Sequence, residues 1–237
     1  MKKLLLLTFI SICTASCTKK IELSGEIVSQ KVQVSKYTAL SNNTIANIEL
    51  DSAVPPNTIQ ITGDKALIEN LGITTQGGSL NISNKQDLSI QSNKAPVTIK
   101  INNPQLQKIV IAGTGSLVTN NVTLVNDVEF HVSGTGDISV KLFNNSSTVF
   151  ATGTGDVRLR GISTELKAHI SGTGSLFAQS LNNKLANIEI TGNGDARMNT
   201  TDELNIKISG VGNVSYKKYT DLKVFQKISG IGSVNPY

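Results

Sequence analysis

The sequence predicts an all-β fold, a single-stranded parallel β-helix (β-solenoid) with coils of about 20 residues. Three observations carry that prediction. The composition favours strands and turns: Ile (25) and Val (18) supply most of the apolar weight, Asn, Ser and Thr number 23, 24 and 23, and there is no Trp. A glycine-centred unit recurs seven times at nearly constant spacing. The five prolines all lie outside Gln105–Asn235, where every coil must donate ladder hydrogen bonds to its neighbour. This excludes a helical bundle, and 38% hydrophobic residues with modest charge exclude long disorder.

The repeat reads apolar-x-apolar-small-Gly-x-Gly. Its glycines are Gly113 and Gly115, Gly134 and Gly136, Gly153 and Gly155, Gly172 and Gly174, Gly192 and Gly194, Gly210 and Gly212, and Gly230 and Gly232. Successive first glycines are 21, 19, 19, 20, 18 and 20 residues apart. Two positions before them stand Ile111, Val132, Ala151, Ile170, Ile190, Ile208 and Ile228, and four after them Leu117, Ile138, Val157, Leu176, Ala196, Val214 and Val234. Period-two alternation on both sides of a glycine means two short strands with one buried face, joined at a corner that needs either φ > 0 or close backbone approach. An antiparallel sandwich or prism is the rival, but it predicts a drifting phase between repeats.

Residues 25–104 read as degenerate coils of the same solenoid and 105–237 as its regular Gly-x-Gly coils, so that 25–237 form one domain. Ile59-Gln60-Ile61-Thr62-Gly63 echoes Ile188-Glu189-Ile190-Thr191-Gly192, and no linker-like run intervenes. Ten or so coils at ~4.8 Å each make a rod of about 50 Å.

Residues 1–16 read as a signal peptide: Lys2 and Lys3 precede a nine-residue apolar run, Leu4 to Ile12, far short of the ~20 residues that span a bilayer. Thr14-Ala15-Ser16-Cys17 is similar to the lipobox of bacterial lipoproteins, in which the Cys takes the lipid, palmitate included; Thr14 replaces the usual Leu. Cys17 with residues 17–24 is then an anchor and short linker; the alternative is ordinary secretion with a free thiol. Removing Lys2 and Lys3 lowers the formal charge from +5 to +3, and the basic residues are scattered, so nucleic acid is not an expected partner.

Ile61-Thr62-Gly63-Asp64, Leu67 to Leu71, Gly77-Gly78-Ser79-Leu80-Asn81-Ile82, Val97 to Pro104 and the Gly-x-Gly series, in that order, resemble the head GIN domain of auto-transporter adhesins, a family of secreted or lipidated proteins abundant in Bacteroidetes. The resemblance covers nearly the whole chain after the signal peptide and implies a right-handed β-helix in the cell envelope. Thr18-Lys19-Lys20 lacks the acidic stretch associated with surface export in Bacteroidetes lipoproteins, which favours an outer-membrane anchor facing the periplasm.

His131 and His169 sit three places before Gly134 and Gly172, in the outward phase. Two coils apart, about 10 Å by the strand spacing, they are too distant to share a metal ion whose ligands each lie at ~2 Å. Phe150 lies between them and turns a large aromatic ring outward. The candidate binding face is therefore the row Val110, His131, Phe150, His169, Glu189, Lys207 and Lys227. Asp137, Asp156 and Asp195 share one phase, three after the first glycine. Stacked carboxylates suit a glycosidase pair or a calcium site; Asp after Gly also commonly bonds its own turn backbone, which is the expectation here. No Ser-His-Asp, Cys-His or phosphate-loop arrangement is present, and no cofactor or metal is called for.

The expected function is a lipid-anchored, non-enzymatic envelope protein that binds a glycan or protein partner or acts as a scaffold. The alternative is a polysaccharide-active lyase or hydrolase, recognisable by a groove collecting Lys, Arg and Asp/Glu from different coils. The last Gly-x-Gly unit lies only five residues before Tyr237, with Tyr216, Tyr219 and Phe225 in the coil before it. That end is expected either to dock a partner, such as a second copy end to end, or to be covered by the N-terminal segment.

Overall fold

The computed structural model describes residues 19–86, 88–90 and 97–237; the expected signal peptide, residues 1–16, and Cys17 lie outside them. The protein is all-β, and its parallel coils stack as a β-solenoid of about six turns, fewer than the ten the repeat arithmetic suggested. Eighteen strands form one continuous sheet, and Lys19–Ile21 pairs separately with Leu88–Ile90. Among the described residues no helix is long and apolar enough to cross a membrane; the one helix is Lys65–Glu69.

The period-two pattern becomes stacked rungs. Ile109, Phe130, Val149, Ala168, Ile188 and Ile206 align in one row, all buried. Beyond the glycine corner Leu117, Ile138, Val157, Leu176, Ala196 and Val214 form another, also buried. Each large aliphatic side chain so buried contributes about 1.5–3 kcal/mol. Three strands, Ile138–Ala151, Val157–Ile170 and Leu176–Ile190, run on through the next corner, which is lined by Asn144, Ser163, Asn183 and Thr200. Their side chains bond within that corner, as where Ser163 Oγ donates to the Glu165 carbonyl at 3.0 Å and Asn183 Nδ2 to the Leu185 carbonyl at 3.0 Å.

Close approach, and not positive φ, explains the Gly-x-Gly corners. The positive-φ glycines are Gly25, Gly77, Gly78 and Gly161, none of them in the repeat pairs. A Cβ on Gly134 would instead overlap the carbonyl oxygen of Gly113, one on Gly153 that of Gly134, and so on to Gly232 against Gly212. The first coil shows the rule by exception. There Thr44 and Ala46 occupy the glycine positions beneath Gly113 and Gly115, and no earlier Gly-x-Gly corner lies under them.

Residues 25–104 differ from the expected run of degenerate coils. They supply two true coils, Ala39–Asn42 with Asn47–Leu50, parallel to Lys108–Ile111 and Leu117–Thr119, and Ser79–Asn84 with Thr98–Ile101, parallel in turn to Ala39–Asn42 and Asn47–Leu50. The remainder closes the N-terminal end with antiparallel pairs: Ile27–Gln33 on Thr58–Asp64, Thr58–Asp64 on Thr98–Ile101, and Leu71–Gln76 on Ser79–Asn84. The Gln76–Ser79 connection is a two-residue Gly77-Gly78 hairpin turn, both glycines at positive φ. Thr58–Asp64 is antiparallel to both of its neighbours and does not continue the parallel coils, so the echo of Ile188–Gly192 in Ile59–Gly63 marks strand character without coil geometry. Asp64 ties this cap together, accepting from the backbone N–H groups of Ser24 (3.1 Å), Gly25 (2.8 Å) and Ala66 (2.9 Å).

At the other end, Lys223–Ile228 pairs with Thr200–Ile208 and Val234–Pro236 with Val214–Tyr216. Their outer edges are unpaired among the described residues. Ile27–Gln33 lies at the opposite end of the solenoid, on Thr58–Asp64, so this part of the N-terminal segment does not cover the C-terminal end as the second expectation held. Ile231 is 74% exposed, Tyr237 58% and Phe225 55%. Pro236 sits in the edge strand Val234–Pro236, a position at which a missing N–H is tolerated.

Candidate binding face

Strand alternation and a constant register build the face. Val110, His131, Phe150, His169, Glu189, Lys207 and Lys227 form one continuous outward row, in the order the sequence predicted. At its centre the His131 and Phe150 rings stack with centroids 4.8 Å apart and planes 21° apart, and Phe150 and His169 at 5.3 Å and 9°. The coil spacing of ~4.8 Å explains this, because identical χ1 choices on neighbouring rungs place flat rings at stacking distance. Phe150 is therefore half-buried between two imidazoles and not the freely exposed ring the alternation alone implied. The three rings cover one another's faces and offer their edges to solvent.

Carboxylates anchor both ends of the stack. Glu129 Oε1 meets His131 Nε2 and lies 3.2 Å from Lys108 Nζ. Its carboxyl is held below the usual range, first by the His131 hydrogen bond and then by Lys108. Glu189 accepts from Lys207 Nζ at 2.6 Å and pairs with His169 Nδ1 at 3.2 Å; Lys207 is the main reason its carboxyl is also held low. Beyond His169 the row borders an open cleft of about 450 Å³ that includes His169, Glu189, Lys207, Phe225 and Lys227. Phe225 was not placed on this face by the sequence. It stands two residues before the row on the same outward side, aligned with Asn205, Asn187 and Lys167.

Asp137 and Asp156 lie on adjacent coils as expected, but their carboxylates do not bond their own turns. Asp137 Oδ1 accepts from the backbone N–H of Asp156 at 2.8 Å, and Asp156 Oδ1 from that of Ser175 at 2.9 Å. Their other oxygens hold Arg158, at 3.2 Å and 2.8 Å. The correction has a physical cause: the corner backbone faces the neighbouring coil, so the nearest unpaired donor belongs to that coil. Among the described residues no group of three or more His, Cys, Asp and Glu side chains is placed to hold a metal ion.

Comparisons with known proteins follow this geometry. Solved structures of a putative adhesin from Bacteroides fragilis NCTC 9343 (23% identity, TM-score 0.81, covering 92% of this chain and 100% of that one) and of another from Parabacteroides merdae ATCC 43184 (22%, TM-score 0.65, 92% and 99%) share the fold. So does a protein of Parabacteroides distasonis ATCC 8503 named a putative lipid binding protein (19%, TM-score 0.66, 92% and 100%). No curated protein matches the chain. The profile of the family described as "Putative auto-transporter adhesin, head GIN domain" matches residues 36–219, from the first coil to the penultimate one, and the chain belongs to that family.

Proposed function

We propose that this protein is a lipid-anchored, non-enzymatic component of the cell envelope that binds an envelope glycan or protein partner through the face bearing His131, Phe150 and His169. The observation that carries the reading is the stacked ring ladder, an ordered aromatic and ionisable surface on an otherwise Ser-, Thr- and Asn-rich solenoid. Membership of an adhesin-type family supports binding over turnover, as do the relatives named putative adhesins. The engagement of Asp137 and Asp156 with backbone N–H groups and Arg158 also favours a structural role for that pair.

Cys17 is the lipidated residue in this reading, holding the solenoid at the outer membrane on its periplasmic side. Two or more acyl chains anchor stably, whereas one binds only marginally. The open C-terminal coil supplies a second contact, end to end with another copy. Cys17→Ala is expected to lose radiolabelled palmitate and leave the membrane fraction, and protease shaving of intact cells is expected to spare the wild-type chain. Binding is tested on a glycan array and by envelope cross-linking, with Phe150→Ser as the control: interactions unchanged by that substitution remove this face from consideration. Polysaccharide turnover abolished by Asp137→Ala or Asp156→Ala would establish the enzymatic alternative instead.

A further inference from the structure

A second site lies on the strand rows that follow the glycine corner. The chain carries 22 basic residues and only three are arginine, Arg158, Arg160 and Arg197. All three line one groove of about 400 Å³. Ser139, Arg158, Phe177 and Arg197 form a single outward row across four successive coils, and Arg160 stands two residues beyond Arg158 on the same face of its strand. Phe177 separates two guanidinium groups, with Arg158 Cζ 4.9 Å and Arg197 Cζ 5.8 Å from its ring centroid. Both cations are positioned by the ring, whose π face attracts them.

The charge in this groove is only partly compensated. Arg158 is paired with Asp137 and Asp156, and Arg160 gives one nitrogen to the Thr119 carbonyl at 2.9 Å. Among the described residues Arg197 has no ion-pair or hydrogen-bond partner and touches the Phe177 ring. A neighbouring cleft lined by Gln179, Arg197, Ser215, Lys217 and Tyr237 shares Gln179 and Arg197 with the first and extends it toward the C-terminal coils. Guanidinium is the side chain whose planar fork matches a carboxylate or sulfate through two parallel hydrogen bonds, while a scattered lysine only adds charge.

We infer that this groove binds a linear anionic polysaccharide lying along the solenoid axis, with acidic groups on alternate sugars meeting the Arg158–Arg160 pair and Arg197. The coil rise of ~4.8 Å is close to the advance of one pyranose in an extended chain, so guanidiniums two coils apart match every second sugar, with Phe177 facing the one between. The groove runs along one face of the solenoid and collects cations from several coils, as a rod-like ligand requires. An anionic membrane would engage a broad surface with apolar side chains to insert, and the apolar ring here is covered by cations. The site is on a different face of the solenoid from the His131–Phe150–His169 ladder, so Phe150→Ser leaves it intact and the two readings fail separately.

The test is binding of the full chain in detergent to polygalacturonate oligomers and dextran sulfate. Fully methyl-esterified galacturonan, oligodeoxythymidine and phosphatidylglycerol vesicles serve as comparisons. The expected result is retention of either acidic glycan, weakened by salt, and no retention of the esterified chain. Arg197→Gln is expected to weaken binding at least tenfold and Arg197→Lys nearly as much, whereas Lys31→Gln, on the exposed strand Ile27–Gln33 at the N-terminal end, leaves it unchanged. Equal binding of the esterified glycan, preference for the oligonucleotide or the vesicles, or full affinity in Arg197→Gln would overturn the inference.

Discussion

The backbone N–H of Asp156 donates to the side chain of Asp137 one coil below, at 2.8 Å, and this relation is one rung of a ladder. Ser116 N–H donates to Asn47, Asp137 to Ser116, Ser175 to Asp156, Asp195 to Ser175, Asn213 to Asp195 and Ser233 to Asn213. The backbone geometry requires it. The Asp137 carbonyl points back to Leu117 N–H at 2.8 Å, so the next coil's N–H meets a side-chain oxygen where a carbonyl is missing. Any residue with a short side chain ending in an acceptor satisfies the position, which is why Asp, Asn and Ser alternate there.

Removing that acceptor is expected to destabilise the solenoid. Asp137→Ala leaves the part-buried Asp156 N–H unsatisfied and is expected to cost about 1–2 kcal/mol in urea denaturation. Asp137→Asn keeps the acceptor, as Asn213 does naturally toward Ser233, and is expected to cost less than half as much.

The glycine corners predict a larger effect. Gly153→Ala drives a Cβ into the Gly134 carbonyl oxygen, which belongs to backbone held on both sides. The expected loss is about 3 kcal/mol or more, at the upper end of overpacking costs, read as a drop in the thermal midpoint. Ala46→Gly, at the second-glycine position of the corner beneath Gly115, is expected to change stability by roughly 1 kcal/mol or less, the ordinary entropic cost of glycine.

Acid is expected to loosen the N-terminal cap through Asp64. Burial pushes its carboxyl up, but the N–H groups of Ser24, Gly25 and Ala66 with the Ser24 hydroxyl outweigh this and hold it below the usual range. A group whose folded pKa is depressed contributes stability that is fully present above the unfolded carboxylate pKa and is lost as pH falls through the folded value. Hydrogen exchange at Ser24 and Gly25 is therefore expected to accelerate in acid, and Asp64→Asn to be faster at neutral pH and flatter across the titration.

The open C-terminal coil is expected to mediate self-association. Ile231, Phe225 and Tyr237 are exposed beside strand edges that are unpaired among the described residues, an arrangement that templates pairing. Light scattering on the full chain is expected to show dimers or larger species, and the pair Ile231→Lys with Val234→Lys is expected to shift them to monomer. Monomer in both chains, with equal stability, would remove the end-to-end contact.

The sequence by itself determined the solenoid. Gly-x-Gly at near-constant spacing, flanked by period-two apolar residues, leaves one way to bury Ile109, Phe130 and Val149 together, because a phase this regular is kept only by stacking identical turns. It also determined the outward row from Val110 to Lys227, since alternation fixes which side each residue faces. The tertiary structure alone decided how rows on neighbouring coils meet. Ring stacking at Phe150, the capture of each corner N–H by the side chain below, and the convergence of Arg158, Arg160 and Arg197 around Phe177 all depend on side-chain rotamers and on register between coils 19 or 20 residues apart, which no local pattern encodes. The antiparallel cap of residues 25–104 escaped the sequence for the related reason that alternation specifies a strand without specifying its partner or its direction.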